Sequence, residues 1–411
     1  MPLPKAGLLL LLILGLHACQ NNREKTTRAE TADYAAGTFG YDLDFLRARD
    51  SVYVLKNESG KAQVLVSAKY QGKVFTSTAN GREGKSFGWI NYPAFEAQEN
   101  RHMNAYGGEN RLWLGPEGGK FSLFFQPGSA MEFENWETPP AIDTESWQVL
   151  SSDERHVSLQ KETTLVNYSG TELKARIKRD IRILENAEIE KMLSVQLAGG
   201  NGQAVGFTTD NALTNTGEKA WTEASGAPCI WILDMFNPSP STTVVVPYNQ
   251  KASSKIATTD YFGEIPEDRI SYREGFLLFK ADGRSRGKLG LRPDRAKPLA
   301  GSYDAANNIL TITTFDVDQE AIYLNQEWRM DKNPLVGDAV NAYNDGPLAD
   351  GSQMGPFYEI ESVSPAAFLQ PGQTLTHQHN VFHFTGEKTA LDQIAQSVLG
   401  ISLDKIQSSF K

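Results

Sequence analysis

Cysteine is nearly absent: Cys19 and Cys229 are the two in 411 residues. With Cys19 in a leader, one thiol is left for the folded body. No intramolecular disulfide can then form, and the fold must rest on its core even in an oxidising compartment. Long apolar runs are missing apart from one near the start, so no later stretch is long enough to cross a bilayer as a helix. Positive charge is in the minority. Lys and Arg number 40 against 50 Asp and Glu, a net charge of −10, and no basic stripe is interleaved with aromatics. Nucleic acid is therefore not an expected partner. A phosphate-cradling loop and a dinucleotide fingerprint are also lacking, which removes kinase and dehydrogenase readings. There is no repeat of short fixed period and no low-complexity linker within the body of the chain.

The one apolar run, Leu8 to Leu14, lies in "MPLPKAGLLLLLILGLHACQNN", after a single Lys. This pattern reads as a secretion signal. Leu16, Ala18 and Cys19 resemble a bacterial lipobox in which the cysteine carries the lipid, with His17 an unusual occupant of its position. Simple signal cleavage nearby is the alternative. Residues 1–19 are thus expected to be a lipoprotein signal peptide ending at the lipidation site Cys19. Residues 20–37, polar and without hydrophobic periodicity, should form a flexible tether. The expected place is the bacterial cell envelope, lipid-anchored to a membrane at its periplasmic or outer-membrane face.

Residues 38–411 are read as one domain. Between about residue 50 and residue 385 the dominant pattern is period-two alternation broken by Gly, Asn, Asp and Pro. "KAQVLVSAKYQGKVFTST" predicts two strands around a Gln-Gly turn, and "GSYDAANNILTITTFD" another hairpin. "TELKARIKRDIRILENAEIEKMLSVQLAG" predicts two long strands joined near Asn186. Helical spacing is confined to the edges, in "YDLDFLRARD" and "TALDQIAQSVLGISLDKIQSSF". A mainly β, antiparallel architecture follows, with a C-terminal helix. The loop-rich residues 236–272 mark its weakest joint.

"NAYGGENRLWLGPEGG", residues 104–119, concentrates glycines, Glu109, Glu117, Arg111 and Trp113 between strand-like runs. Glycine permits positive φ or close approach to a ligand, and the charged groups bind hydroxyls or carboxylates. The alternative is a wide loop in which Arg111 pairs with Glu109 or Glu117. Trp113 shares the strand face of Arg111, as a stacking platform or as core. In "YEIES", Glu359 and Glu361 share a face by the same alternation. The basic run "FKADGRSRGKLGLRPDRAK" holds Arg284, Arg286, Lys288, Arg292 and Arg295; a solvated face is favoured, the alternative being that one or two of them enter a cleft to hold an acidic sugar, Lys288 between two glycines foremost. His377, His379 and His383 have one parity and would share a strand face. Structural histidines are favoured there over zinc ligands. Asp345 and Asp350 sit in "NAYNDGPLADG", which reads as an Asx-rich turn rather than a calcium loop.

Taken together, "YQGKVFTSTANG", "NAYGGENRLWLGPEGG" and "GPFYEIESVSPAAFLQPGQTLTHQHNVFHF" resemble, in that order, segments of galactose mutarotase-like proteins, the nearest being envelope lipoproteins of that superfamily. The likeness runs over most of residues 40 to 385. It implies an antiparallel β-supersandwich with short edge helices and with sugar bound in a concave face. It implies Glu361 as a carboxylate base and Arg111 as the group on ring hydroxyls. No histidine follows the glycine-arginine segment in a family-like context, and His102, just before it, is the nearest substitute for the imidazole acid. Glu359 and Glu117 are further carboxylates for a glycosidic-cleavage mechanism. Glu361 is expected to be partly desolvated and hydrogen-bonded to a cation or to a tyrosine such as Tyr343. Two classes of function remain open, an epimerase or glycoside-cleaving enzyme and a non-catalytic glycan-binding protein.

Overall fold

Runs of alternating residues with β-branched and aromatic side chains become strands because one face of each can be buried. The computed structural model describes residues 34–197 and 202–410. The signal peptide, most of the tether and Cys19 lie outside them. The described residues belong to one compact unit that begins at Tyr34.

Every strand pairing is antiparallel. A ten-stranded sheet runs in the order Ile270–Arg273, Phe276–Lys280, Thr242–Pro247, Leu299–Asp304, Ile309–Phe315, Thr374–Gly386, Gly202–Asn215, Glu172–Ile183, His156–Val166, Gln148–Ser152. A five-stranded sheet packs on it, ordered Gly287–Leu291, Val340–Asn344, Tyr358–Val363, Cys229–Phe236, Arg111–Gly115. The core between them is one apolar cluster that includes Ile177, Leu213 and Val381 from the large sheet and Leu112, Ile232 and Ile360 from the small one. Helices Asn186–Leu193, Lys388–Val398 and Leu403–Gln407 cover the other face of the large sheet through Ile189, Leu391, Ile394, Leu403 and Ile406. A third sheet, Tyr53–Lys56, Gln63–Ser67 and Lys73–Thr78, packs against helix Phe39–Arg47 through Leu65, Phe75, Phe39, Leu43 and Leu46.

Two expected hairpins form where predicted, Gln63–Ser67 with Lys73–Thr78 and Leu299–Asp304 with Ile309–Phe315. The expected second strand after Asn186 does not form. It is replaced by helix Asn186–Leu193, opened by a capping box between Glu185 and Glu188. Ile189 and Leu193, four residues apart, give that helix a buried stripe. The single C-terminal helix divides in two, because Gly400 takes φ +77 beyond Leu399.

A polar network runs through the inter-sheet core. Asp234, fully buried, accepts from Asn110 Nδ2 at 2.6 Å and from His379 Nε2 at 2.7 Å. The Ser362 hydroxyl lies 2.8 Å from both His379 Nδ1 and His377 Nε2. His383 reaches Glu109 at 3.0 Å and Thr311 at 2.9 Å. The three histidines share one face, as their parity requires, and each is buried with its own partners. Burial and the neighbouring His379 hold His377 down to about 3, so it is neutral.

Candidate functional site

Alternation sorts the five-stranded sheet into two chemistries. Leu112, Ile232, Ile360, Ala342 and Leu289 point into the core. The residues between them, Arg111, Trp113, Trp231, Leu233, Met235, Glu359, Tyr343 and Lys288, line a cavity of about 340 Å³ on the open side. Loops complete the wall with His102, Glu117, Phe133, Trp136, Phe262, Arg286, Trp328, Met354 and Phe357.

The glycine-rich segment builds this wall by close approach. At Gly107, φ is +83, and a Cβ would stand 2.3 Å from the Trp89 carbonyl oxygen. At Gly118 a Cβ would stand 2.3 Å from the carbonyl of Glu327. Any side chain at 118 would therefore push away the loop that carries Trp328. The Glu117 amide donates to Gln326 Oε1 at 2.7 Å, which ties the two loops together.

Two buried ion pairs form the floor. Arg111 Nη2 donates to Glu359 Oε1 at 2.6 Å, and Lys288 Nζ donates to Glu361 Oε2 at 2.9 Å. The pairs are crossed relative to the strand register. Arg111 aligns through Leu233 with Glu361, and Lys288 aligns through Tyr343 with Glu359, yet each cation joins the other carboxylate. Leu233 and Tyr343 occupy the direct rows, leaving the diagonals for the long side chains. Trp231 Nε1 also donates to Glu361 Oε2, at 2.8 Å, and the Lys288 ammonium sits 4.6 Å from the Trp231 ring centre.

Aromatic rings enclose the space above. Trp136 stacks on Trp328 at 5.8 Å and on Phe133 at 6.2 Å, while Trp113 meets Trp231 edge-on at 5.6 Å. Phe133, Phe262 and Met354 are exposed at the mouth. His102 stacks on Phe133, and its Nδ1 lies 2.5 Å from the Trp136 carbonyl. A carbonyl only accepts, so Nδ1 carries the proton and Nε2 is the acceptor of the neutral ring.

Burial pushes the Glu359 carboxyl up, with Arg111 opposing the rise and Glu361 adding to it. Burial likewise raises Glu117, against the pull of Lys288 and a hydrogen bond from Trp328. Burial and Asp345 raise the Tyr343 phenol.

Of the residues singled out in the sequence, Arg111, Trp113, Glu117, Lys288, Tyr343, Glu359 and His102 meet at this cavity. Glu361 belongs to its floor but has no exposed surface, since Lys288 and Trp231 lie over it. Its Oε1 is buried without a hydrogen-bond partner. One expectation is corrected. Glu109 lies away from the cavity, fully buried, accepting from Ser77 Oγ at 2.6 Å and paired with His383. Being two residues before Arg111 did not suffice, because Glu109 precedes the strand and takes no part in its alternation. The alternative to a ligand-lining segment, Arg111 paired with Glu109 or Glu117, is not what forms, since Arg111 pairs with Glu359. Of the two partners expected for Glu361, the cation is the one present, Lys288, while the Tyr343 hydroxyl donates to Asp345 at 3.1 Å.

Asp350 accepts from the backbone and hydroxyl of Ser352, an Asx turn. Residues 283–287 spell Gly-x-Ser-x-Gly, but they lead into a strand rather than from strand to helix, so they form no nucleophile elbow. Trp231 carries no expectation from the sequence, whereas Arg286 joins Lys288 as a second cation of the basic run at the cavity. The alternation of "CIWILDMF" placed Trp231 on the Leu233 and Met235 face, which was the available signal.

No curated protein matches the sequence. Among solved structures, the Slr1438 protein from Synechocystis sp. PCC 6803 is similar at a TM-score of 0.50 and 13% identity, over 82% of this chain and 97% of that one. A galactose mutarotase-like protein from Lactobacillus casei ATCC 334 matches at a TM-score of 0.45 and 10% identity, over 81% and 100%. The antiparallel β-supersandwich that the sequence led us to expect is the fold found, and galactose mutarotase-like structures are similar to it. With a family model matching residues 37–410, the chain belongs to the family of unknown function DUF6786.

Proposed function

We propose that the chain binds carbohydrate in the cavity of the five-stranded sheet. The observation that carries this reading is the lining itself. Trp113, Trp136, Trp231 and Trp328 offer ring faces above two charge pairs, Arg111 with Glu359 and Lys288 with Glu361. Sugars present apolar C–H faces and a girdle of hydroxyls. Aromatic faces take the first, and charged donors and acceptors fixed by packing take the second. The volume, about 340 Å³, lies in the range of small-molecule sites. A glycan array followed by calorimetric titration tests this reading. It expects saturable binding that Phe133→Ala weakens, and an array without hits would refute it.

A second reading, proton transfer on the bound sugar, is favoured by Glu117. Its carboxyl lines the cavity and is raised, which suits a general acid, while His102 Nε2 offers an acceptor on the same lining. Glu361, being covered, would act only through Lys288. NMR on an array hit would show anomer exchange or glycosidic cleavage, and Glu117→Gln should stop it with binding retained. Turnover unaffected by that variant would remove Glu117 from the mechanism.

We also propose that Cys19 is lipidated and anchors the chain to the bacterial envelope, on the strength of the lipobox-like sequence. Cys19→Ser should release the protein from the membrane fraction. Membrane retention by that variant would contradict the anchor.

A further inference from the structure

Glu117, Glu359 and Glu361 balance Arg111, Lys288 and Arg286 in number, but not in commitment. Arg111 and Lys288 are each held by one carboxylate. Arg286 lines the same cavity and, among the described residues, forms no ion pair. Its guanidinium lies 3.8 Å from the centre of the Phe262 ring, exposed at the mouth. Acids on the neighbouring loops are engaged elsewhere. Asp282 is paired with Arg269, and Asp345 accepts from Tyr343 Oη and from the Gly355 amide at 2.8 Å.

Deeper in the cavity, donors outnumber what the protein uses. Lys288 has three N–H groups and gives one to Glu361. Arg111 gives one to Glu359, and its Nε is buried with no partner. The indole N–H of Trp136 is buried with no partner either. We infer that the cavity selects a saccharide unit bearing an anionic group, with Arg286 holding the anion at the mouth and the unused N–H groups of Lys288 available to its oxygens. This rests on the carbohydrate reading above and narrows its substrate class.

A guanidinium stacked on Phe262 is preorganised, since its plane is fixed before the ligand arrives and its fork suits two oxygens of one acid. Burial also raises both Glu117 and Glu359, so neither carboxylate gains from being charged there as it would in water. The whole chain carries −10, so an anion meets general repulsion and local attraction. Selectivity must therefore come from the cavity and should weaken with salt.

Calorimetric titration of the full chain in detergent supplies the test. The probes are glucuronate and galacturonate, glucose 6-phosphate and galactose 6-phosphate, and glucose and galactose. At least one acidic sugar should bind roughly tenfold tighter than its neutral counterpart, an advantage that shrinks with added salt. The uronate and phosphate arms identify which acid the cavity takes. Arg286→Gln, at an exposed position where folding is not at stake, should erase most of that advantage by lowering acidic-sugar affinity much more than neutral-sugar affinity. Equal or tighter binding of the neutral sugars overturns the inference and leaves the carbohydrate reading standing, as does an Arg286→Gln variant that lowers both classes alike. Failure of every saccharide, on the array as well as in this panel, removes both.

Discussion

Glu361→Gln keeps the volume of the side chain, removes its charge, and leaves Lys288 buried without a carboxylate. Lys288 is 6% exposed, Glu361 is 0% exposed, and their contact is 2.9 Å. Removing one partner of a buried pair costs about 3–5 kcal/mol. The glutamine oxygen can still accept from Trp231, and Lys288 borders a cavity open to water, so about 3 kcal/mol is the expected loss. Unfolding entropy of about 2.1 cal/mol/K per residue gives a body of this size about 0.8 kcal/mol/K, so Tm should fall by about 4 °C. Scanning calorimetry on the wild type, Glu361→Gln, Lys288→Met and the double variant reads this directly. Lys288→Met should cost at least as much, because it strands a carboxylate with no exposed surface. The double variant should recover about 2 kcal/mol relative to the sum of the singles. A Glu361→Gln protein melting within 1 °C of the wild type, or strictly additive losses, would refute the view that Glu361 serves to hold Lys288. The idea of a carboxylate acting directly on sugar would then return.

Other consequences are independent of that pair. Phe133, 56% exposed at the mouth, contributes ligand contact and little stability; Phe133→Ala should weaken a cavity ligand about fivefold with Tm unchanged, by calorimetric titration. Burial raises the Asp338 carboxyl from 3.8 to about 6, so its folded value lies above its unfolded one. The associated stability is present below pH 4 and is lost as pH rises through 6. The wild type should lose roughly 3 kcal/mol across that window that Asp338→Asn does not, in paired urea titrations. Asp234→Asn breaks the pairing with His379 and disturbs the bond from Asn110, both fully buried, and should lower Tm by about 4–6 °C.

The fold was legible because period-two alternation records burial directly, and it persists through most strands of both sheets. It misled after Asn186, where "EIEKML" satisfies both a strand and a short helix. The Glu185–Glu188 capping box decided the outcome. The site was legible where alternation governs it: Arg111 with Trp113, Glu359 with Glu361, and Lys288 entering its strand. Parity cannot say which cation meets which carboxylate, so the crossed pairs had no signal in the sequence. It also cannot say that Glu361 lies under Lys288 and Trp231. Glu109 shows the converse, a residue beside the strand whose surroundings are set by His383, remote in sequence. Trp136, Trp328 and Phe262 reach the cavity from loops, where spacing carries no periodic signal.

Tryptophan emission offers the most direct view of the central claim, because four of the seven tryptophans line the cavity. Titrating the full chain with its best-binding saccharide should give a saturable change in emission. Its midpoint should match the calorimetric Kd, and Trp328→Phe should diminish its amplitude. Calorimetric binding of that saccharide with no change in emission would place the sugar elsewhere and contradict the account.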